Sequence, residues 1–222
     1  MPPSPPDPFR PSPHTGLLLA TLAGARFPLG DGLDMGVGSG AVLAALGQAG
    51  VARLTGVDMD PDALAAARAL LASEGLGDRA RLLHGSLWDP LAGAAFDVVA
   101  ANLPQFAAEA PADPEHSPYW SSAGADGRRL MDPFLAGLGA HLAPGGAAFV
   151  AHNVFLGRDR SEAIVAAQGL SCRAAAATWV LLHPAKAAML DPGIRRAGAA
   201  AGLRRVGGYE FAAVEVLEIR KS

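Results

Sequence analysis

In Asp34-Met35-Gly36-Val37-Gly38-Ser39-Gly40 an acidic residue near the end of an apolar run is followed by three alternating glycines. A helix-like segment, Ala41 to Gln48, comes next, and about twenty residues on a second apolar run, Leu54 to Val57, ends in Asp58. Glycines let a backbone approach a ligand closely, and a carboxylate at the next strand end can accept both hydroxyls of a ribose. The chemistry suggested is the holding of a nucleoside-containing cofactor, with Met59 beside Asp58 in the same contact region.

The glycine spacing separates two cofactor classes. A dinucleotide fold uses Gly-x-Gly-x-x-Gly and sets the pyrophosphate on a helix N-terminus. Here the spacing is Gly-x-Gly-x-Gly, and Asp34 would repel a pyrophosphate while suiting a cationic ligand end. The pattern resembles motif I of the class I S-adenosylmethionine (SAM) methyltransferases. That resemblance implies that Asp34, Gly36, Gly38 and Gly40 hold the methionine end of SAM and that Asp58 holds the ribose. A nicotinamide oxidoreductase is the competing reading, and the spacing and Asp34 speak against it.

A second stretch, Phe96 to Gln105, reads as a buried strand ending in Asn102-Leu103-Pro104-Gln105. It resembles the Asn-Pro-Pro-Tyr motif of methyltransferases acting on planar amino or amide nitrogens. The resemblance implies that the Asn102 side-chain oxygen and the Leu103 carbonyl accept hydrogens from the target nitrogen, with Pro104 completing the turn. Such a site works mainly by alignment, because the sulfonium is already a good leaving group. Leu103 stands where the first proline is usual, and Gln105 where an aromatic residue would stack on a planar target. Asn102 as a simple turn cap is the competing reading.

The likeness extends to the release-factor glutamine N5-methyltransferase family. Phe9-Arg10-Pro11-Ser12-Pro13-His14-Thr15 is similar to that family's proline-rich segment before the first helix, which packs over the cofactor. Pro11, Pro13 and Thr15 match, while His14 and Gly16 stand where acidic residues are usual. Gly124-Ala125-Asp126-Gly127 resembles the Gly-x-Asp-Gly that opens the family's next helix. The segment before Asp34 is short, so the family's helical recognition domain is expected to be absent. Relatives usually carry an acidic residue for the adenine amino group where Ser86 stands here. Ser86 could bond the adenine edge, and Leu87 or Trp88 could cover the ring.

Positioning these groups takes alternating strands and helices, and the pattern provides them. Strands are predicted near 32–36, 53–58, 80–84, 96–101 and 146–151, and helices near 16–25, 40–49, 61–74, 126–142 and 158–169. Asp60-Pro61 is a good helix start, and Ala143-Pro144-Gly145-Gly146 a good stop. The alternation implies a doubly wound α/β fold, Rossmann-like, with a mostly parallel sheet of seven strands. Segments 173–183 and 209–219 would form its antiparallel end. Between them, 184–208 is an insertion with a helix expected from Asp191 to Gly202, suited to a lid or a homodimer contact. One domain over 9–222 is expected, preceded by a Pro-rich tail, 1–8, that is expected to be disordered. Residues 1–13 carry seven prolines and should form neither helix nor central strand.

Composition narrows the function classes. The chain has 222 residues, half of them hydrophobic, and a net charge of −3 with no long basic block. This argues against a large nucleic-acid-binding surface. Cys172 is the only cysteine, so no intrachain disulfide can form, and it reads as a small apolar residue. Neither a membrane span nor a signal segment is apparent, and a cytoplasmic enzyme is the simplest location. His116, His152 and His183 lack metal-ligand spacing, and no metal is expected. The long loop 105–127 carries Glu109, Asp113, Glu115, His116, Tyr119 and Trp120 and should line the acceptor pocket. The expected activity is methyl transfer from SAM to a nitrogen, or another soft nucleophile, of a small-molecule or protein side-chain acceptor. An RNA base amino group and a non-catalytic SAM-binding subunit are the alternatives.

Overall fold

The computed structural model describes residues 9–106, 123–124, 126–188 and 190–221. The tail 1–8 and most of the acidic loop, including Glu109, Asp113, Glu115, His116, Tyr119 and Trp120, lie outside the described residues. The elements run α1 (Pro13–Gly24), β1 (Asp31–Met35), α2 (Ala41–Gln48), β2 (Arg53–Asp58), α3 (Pro61–Ser73), β3 (Ala80–His84) and β4 (Phe96–Ala101). They continue with α4 (Met131–His141), β5 (Leu142–Asn153), α5 (Arg158–Ala166), β6 (Ser171–Leu181), α6 (Pro184–Ala188), α7 (Pro192–Ala197), β7 (Leu203–Val206) and β8 (Tyr209–Arg220).

The sheet order is β3-β2-β1-β4-β5-β8-β6, parallel as far as β5 and antiparallel beyond it. Strand order therefore reverses between β1 and β4, where open α/β sheets form a crevice at their carboxyl ends. The registers Met35↔Val57 and Met35↔Ala101 make β1, β2 and β4 end level. Gly36, Asp58 and Asn102, the next residue on each chain path, thus stand in a row. β5 runs on past this line to Asn153.

Apolar runs explain the layers. Val98, Val99, Ala100 and Ala101 of β4 are wholly buried, as expected of a central parallel strand covered on both faces. One face packs Leu33, Met35 and Val99 against Phe134, Leu135 and Leu138 of α4. The other packs Leu54, Val98 and Phe149 against Leu18 of α1, Leu43 and Leu46 of α2, and Leu71 of α3.

Three local features differ from the sequence expectation. Helix α1 begins at Pro13, inside the proline-rich segment, because Pro at the first helical position gives up an N–H that has no helical partner anyway. Helix α4 begins at Met131 rather than 126. The expected helix from Asp191 to Gly202 divides into α7 and a 3-10 turn, Gly198–Ala201, with Gly198 at φ +50°. The chain then returns to the sheet as a short extra strand, β7, which pairs with the start of β8.

The glycines after β1 do different work. Gly40, at φ +83°, would put a Cβ 2.9 Å from the Ala67 Cα on α3, so it sets how closely α2 and α3 pack. Gly38, at φ +49°, would meet nothing nearer than 3.9 Å. Gly40→Ala is therefore expected to cost on the order of 2–3 kcal/mol from strain and backbone overlap. Gly38→Ala should cost only about 1 kcal/mol. Chemical denaturation of the two variants would show equal losses if this division of labour were wrong.

Candidate active site

The crevice between β1 and β4 is built around Asp34. Its side chain is 2% exposed, and its Oδ2 has no hydrogen-bond partner. Burial first, then the neighbouring Asp58 charge, hold its carboxyl well above the usual carboxylate range, with the Leu43 backbone N–H pulling the other way. A buried carboxyl with an unused oxygen is costly unless a ligand supplies a donor. The amino group of a methionine moiety is such a donor, so the residues present fit SAM at this end.

Asp58 stands one strand away. Its Oδ2 accepts the Gly38 N–H at 3.0 Å and its Oδ1 the Asp60 N–H at 3.0 Å. The first bond ties the glycine turn to the second strand end. Burial raises the Asp58 carboxyl pKa, and the two backbone donors oppose that shift. Asp60 caps α3, accepting the Asp62 N–H at 2.9 Å. The Met59 carbonyl lies 3.1 Å from His84 Nε2, which fixes the rim beside Asp58.

Ser86 and Leu87, expected from the sequence to meet the adenine, follow β3 at half-buried positions. Leu87 is the single non-glycine residue with positive φ among the described residues, at +47°. That backbone conformation is strained for a branched side chain. Trp88 does not share the covering role. Its ring stacks on His141 at 4.4 Å and Phe134 at 5.3 Å, and its Nε1 donates to the Phe134 carbonyl at 3.0 Å. It anchors α4 to the sheet and is a core residue.

Asn102 and Thr15 meet across the crevice: Asn102 Nδ2 donates to Thr15 Oγ1 at 3.0 Å. Gln105, the departure from an aromatic residue, is 4% exposed and turned inward. Its Nε2 donates to the Ala151 carbonyl at 2.7 Å and the Leu103 carbonyl at 3.3 Å. Its Oε1 accepts the Asn153 backbone N–H at 2.7 Å and Asn153 Nδ2 at 3.3 Å. All four hydrogen-bonding positions of the amide are used. Gln105 is therefore a staple between the Asn102 turn and the overhanging end of β5. Pro104 lies within the stapled turn.

The sequence reading did not single out Arg128. It is 3% exposed and joins three elements. Nε donates to Asp132 of α4 at 2.7 Å, Nη1 to the Leu156 carbonyl at 2.6 Å, and Nη2 to Ser161 Oγ of α5 at 2.9 Å. Gly127 before it, at φ +72°, has a Cβ position that would overlap the Gln105 carbonyl. The Gly-x-Asp-Gly segment thus braces the Asn102 turn from behind. An arginine after it was the available signal. His152 Nε2 lies 2.9 Å from Ser161 Oγ. Lys186 of the insertion sits over the Phe106 ring, 5.1 Å from its centroid. Burial raises the Cys172 thiol to about 11, as fits a packing residue. No helix among the described residues is long and apolar enough to cross a membrane.

Burial, then Arg128 and Arg158, lower the His152 pKa to about 4. A depressed histidine stabilises the fold above its ordinary pKa and loses that contribution as pH falls toward the folded value. Thermal melting should show a loss between about pH 6.5 and 4 that is smaller in His152→Gln. Identical pH profiles for the two proteins would contradict this assignment.

Comparison with known proteins agrees with this geometry. Residues 33–115 match the methyltransferase domain family. The ribosomal protein uL3 glutamine methyltransferase of Bordetella pertussis is 39% identical over 121 residues, 51% of this chain and 40% of that protein. The release factor glutamine methyltransferase of Caulobacter vibrioides is 36% identical over 155 residues, 67% of this chain and 51% of that protein. The chain thus spans about half, or less, of the length of these relatives. In fold it resembles the E. cuniculi Mtq2–Trm112 complex, responsible for methylating the eRF1 termination factor, with TM-score 0.62, 17% identity and coverage of 98% of this chain and 100% of that one. It also resembles the T. thermophilus 16S rRNA N2 G1207 methyltransferase in complex with AdoMet and guanosine, with TM-score 0.58, 22% identity and coverage of 96% and 44%. In sequence this chain resembles the SAM-dependent methyltransferases, the glutamine methyltransferases among them, and in fold it shares their Rossmann-like sheet.

Proposed function

We propose that the chain transfers a methyl group from SAM to the side-chain amide nitrogen of a protein glutamine. The observation that carries this reading is the placement of Asn102 one strand from the unpartnered oxygen of Asp34. β1 and β4 are neighbours, so donor-holding and acceptor-holding groups stand on adjacent strand ends. Sequence likeness to two glutamine methyltransferases supports the acceptor class. The inward turn of Gln105 leaves no ring at that position to stack on a planar acceptor, so its recognition would rest on Asn102 and the Leu103 carbonyl.

SAM, when bound, supplies an electrophilic methyl group on a sulfonium. Asp34 would hold its amino group, Asp58 its ribose hydroxyls, and Ser86 and Leu87 its adenine, with Gly36, Gly38 and Met59 bordering it. Asn102 Oδ1 and the Leu103 carbonyl would accept the two hydrogens of the acceptor amide. The Leu103 carbonyl already accepts Gln105 and keeps a second lone pair for this purpose. Holding both hydrogens turns the nitrogen lone pair toward the methionine end and stabilises positive charge as it forms. The nitrogen sheds one proton after gaining the methyl, so no strong base is required.

Calorimetric titration should show binding of SAM and S-adenosylhomocysteine but not NAD. Binding a cation beside Asp34 favours its ionised form and so releases a proton. Affinity for S-adenosylhomocysteine should therefore fall as pH drops through the raised Asp34 pKa, and Asp34→Asn should flatten that dependence. Without ligand the sign is opposite: ionising Asp34 costs stability as pH rises. Tritium transfer from labelled SAM to purified release factor and ribosomal protein uL3 tests the acceptor. Asn102→Ala should lower kcat by roughly a hundredfold or more while retaining S-adenosylhomocysteine binding. Unchanged turnover in Asn102→Ala would overturn the reading.

A further inference from the structure

The first turn of α1 touches one half of the acceptor-holding pair directly and the other through two intervening side chains. Thr15 Oγ1 is 8% exposed at the residue level and lies within hydrogen-bond distance of three groups: the Ser12 N–H at 3.2 Å, Ser12 Oγ at 3.3 Å and Asn102 Nδ2 at 3.0 Å. A hydroxyl has one donor hydrogen and two acceptor lone pairs. The Ser12 N–H and the Asn102 NH2 can only donate, so they fill both lone pairs. Thr15 must then give its own hydrogen to Ser12 Oγ, which also accepts the Thr15 N–H at 3.3 Å. The count closes with the Asn102 NH2 directed at Thr15. The Asn102 oxygen is left for the crevice.

The neighbouring residue reaches the other half. His14 Nε2 lies 3.0 Å from Asn153 Oδ1. Asn153 Nδ2 is committed to Gln105 Oε1, so Asn153 Oδ1 accepts and His14 Nε2 carries the hydrogen. Gln105 in turn donates to the Leu103 carbonyl. Two of the departures from the family patterns, His14 and Gln105, therefore meet on one side chain, Asn153.

We infer that Thr15 is a positioning residue: it sets the Asn102 amide so that its oxygen, not its NH2, meets the acceptor nitrogen. The His14–Asn153–Gln105 relay fixes the Leu103 carbonyl beside it. This rests on the proposed role of Asn102 and assigns Thr15 to the acceptor side rather than to the cofactor.

The test compares Thr15→Val, which keeps the shape and removes the hydroxyl, with Thr15→Ser, which keeps the hydroxyl. With release factor or uL3 as acceptor, Thr15→Val should lower kcat roughly tenfold, with acceptor KM and S-adenosylhomocysteine affinity changing less than about twofold. Thr15→Ser should recover most of the rate. A readout independent of any acceptor is the side-chain amide NMR signal pair of Asn102 in the S-adenosylhomocysteine complex. Thr15→Val should shift both signals and speed their exchange with solvent, and Thr15→Ser should restore them. Unmoved Asn102 signals, or full kcat in Thr15→Val where Asn102→Ala is inactive, would overturn the positioning role alone. Weakened S-adenosylhomocysteine binding in Thr15→Val would return Thr15 to the cofactor. Full turnover in Asn102→Ala would instead remove the reading of the site on which this inference stands.

Discussion

The parallel pairing of β1 with β4 is the constraint on which the rest depends. It fixes, to within one strand spacing of about 4.8 Å, how far the acidic end of the first strand lies from the Asn102 turn. Every other element either covers this pair or braces its ends. Helices α2 and α3 pack on one face, and their closeness is set at Gly40. On the other face α4 is anchored through Trp88. Asp58 ties the glycine turn to the second strand end through the Gly38 N–H, and beside it Asp34 keeps a buried, unpartnered oxygen.

The parts legible in the sequence are those written in local chemistry. An apolar run ending in Asp34, a glycine turn, and a second run ending in Asp58 specify strand, turn and ligand-facing carboxylates without knowledge of distant contacts. The same holds for Asp60 as a cap and for the buried run before Asn102. The parts not legible depend on partners far along the chain. Gln105 reads as a missing aromatic residue until β5 overhangs the sheet edge and brings Ala151 and Asn153, 46 and 48 residues away, against it. Trp88 adjoins the cleft in sequence, yet the arrival of α4 decides that its ring faces inward. Arg128 carries a charge that reads as solvated, and only the folded chain shows its partners on α5 and the β5–α5 turn.

The segment 184–208 illustrates a third kind of limit. Its composition announces one helix from Asp191, but neither the break at Gly198 nor the return of the chain to the sheet as β7. A four-residue strand gives little periodicity, and its pairing is fixed by β8 through the turn at Gly207-Gly208. With Lys186 of α6 over Phe106, the insertion touches both β8 and the segment that follows Asn102.

The saturation of Gln105 bears on how acceptor preference could change over evolutionary time. An amide with four bonds cannot be exchanged for a stacking ring without stranding the Asn153 backbone N–H in a buried setting, a loss of about 1–3 kcal/mol. Nor would Asn153 then keep its tautomer-fixing contact with His14 on the same terms. Positions 14, 105 and 153 are consequently coupled. A ring at position 105 would fit this turn only alongside changes at 14 and 153, so the turn is held by the mutual dependence of its supports.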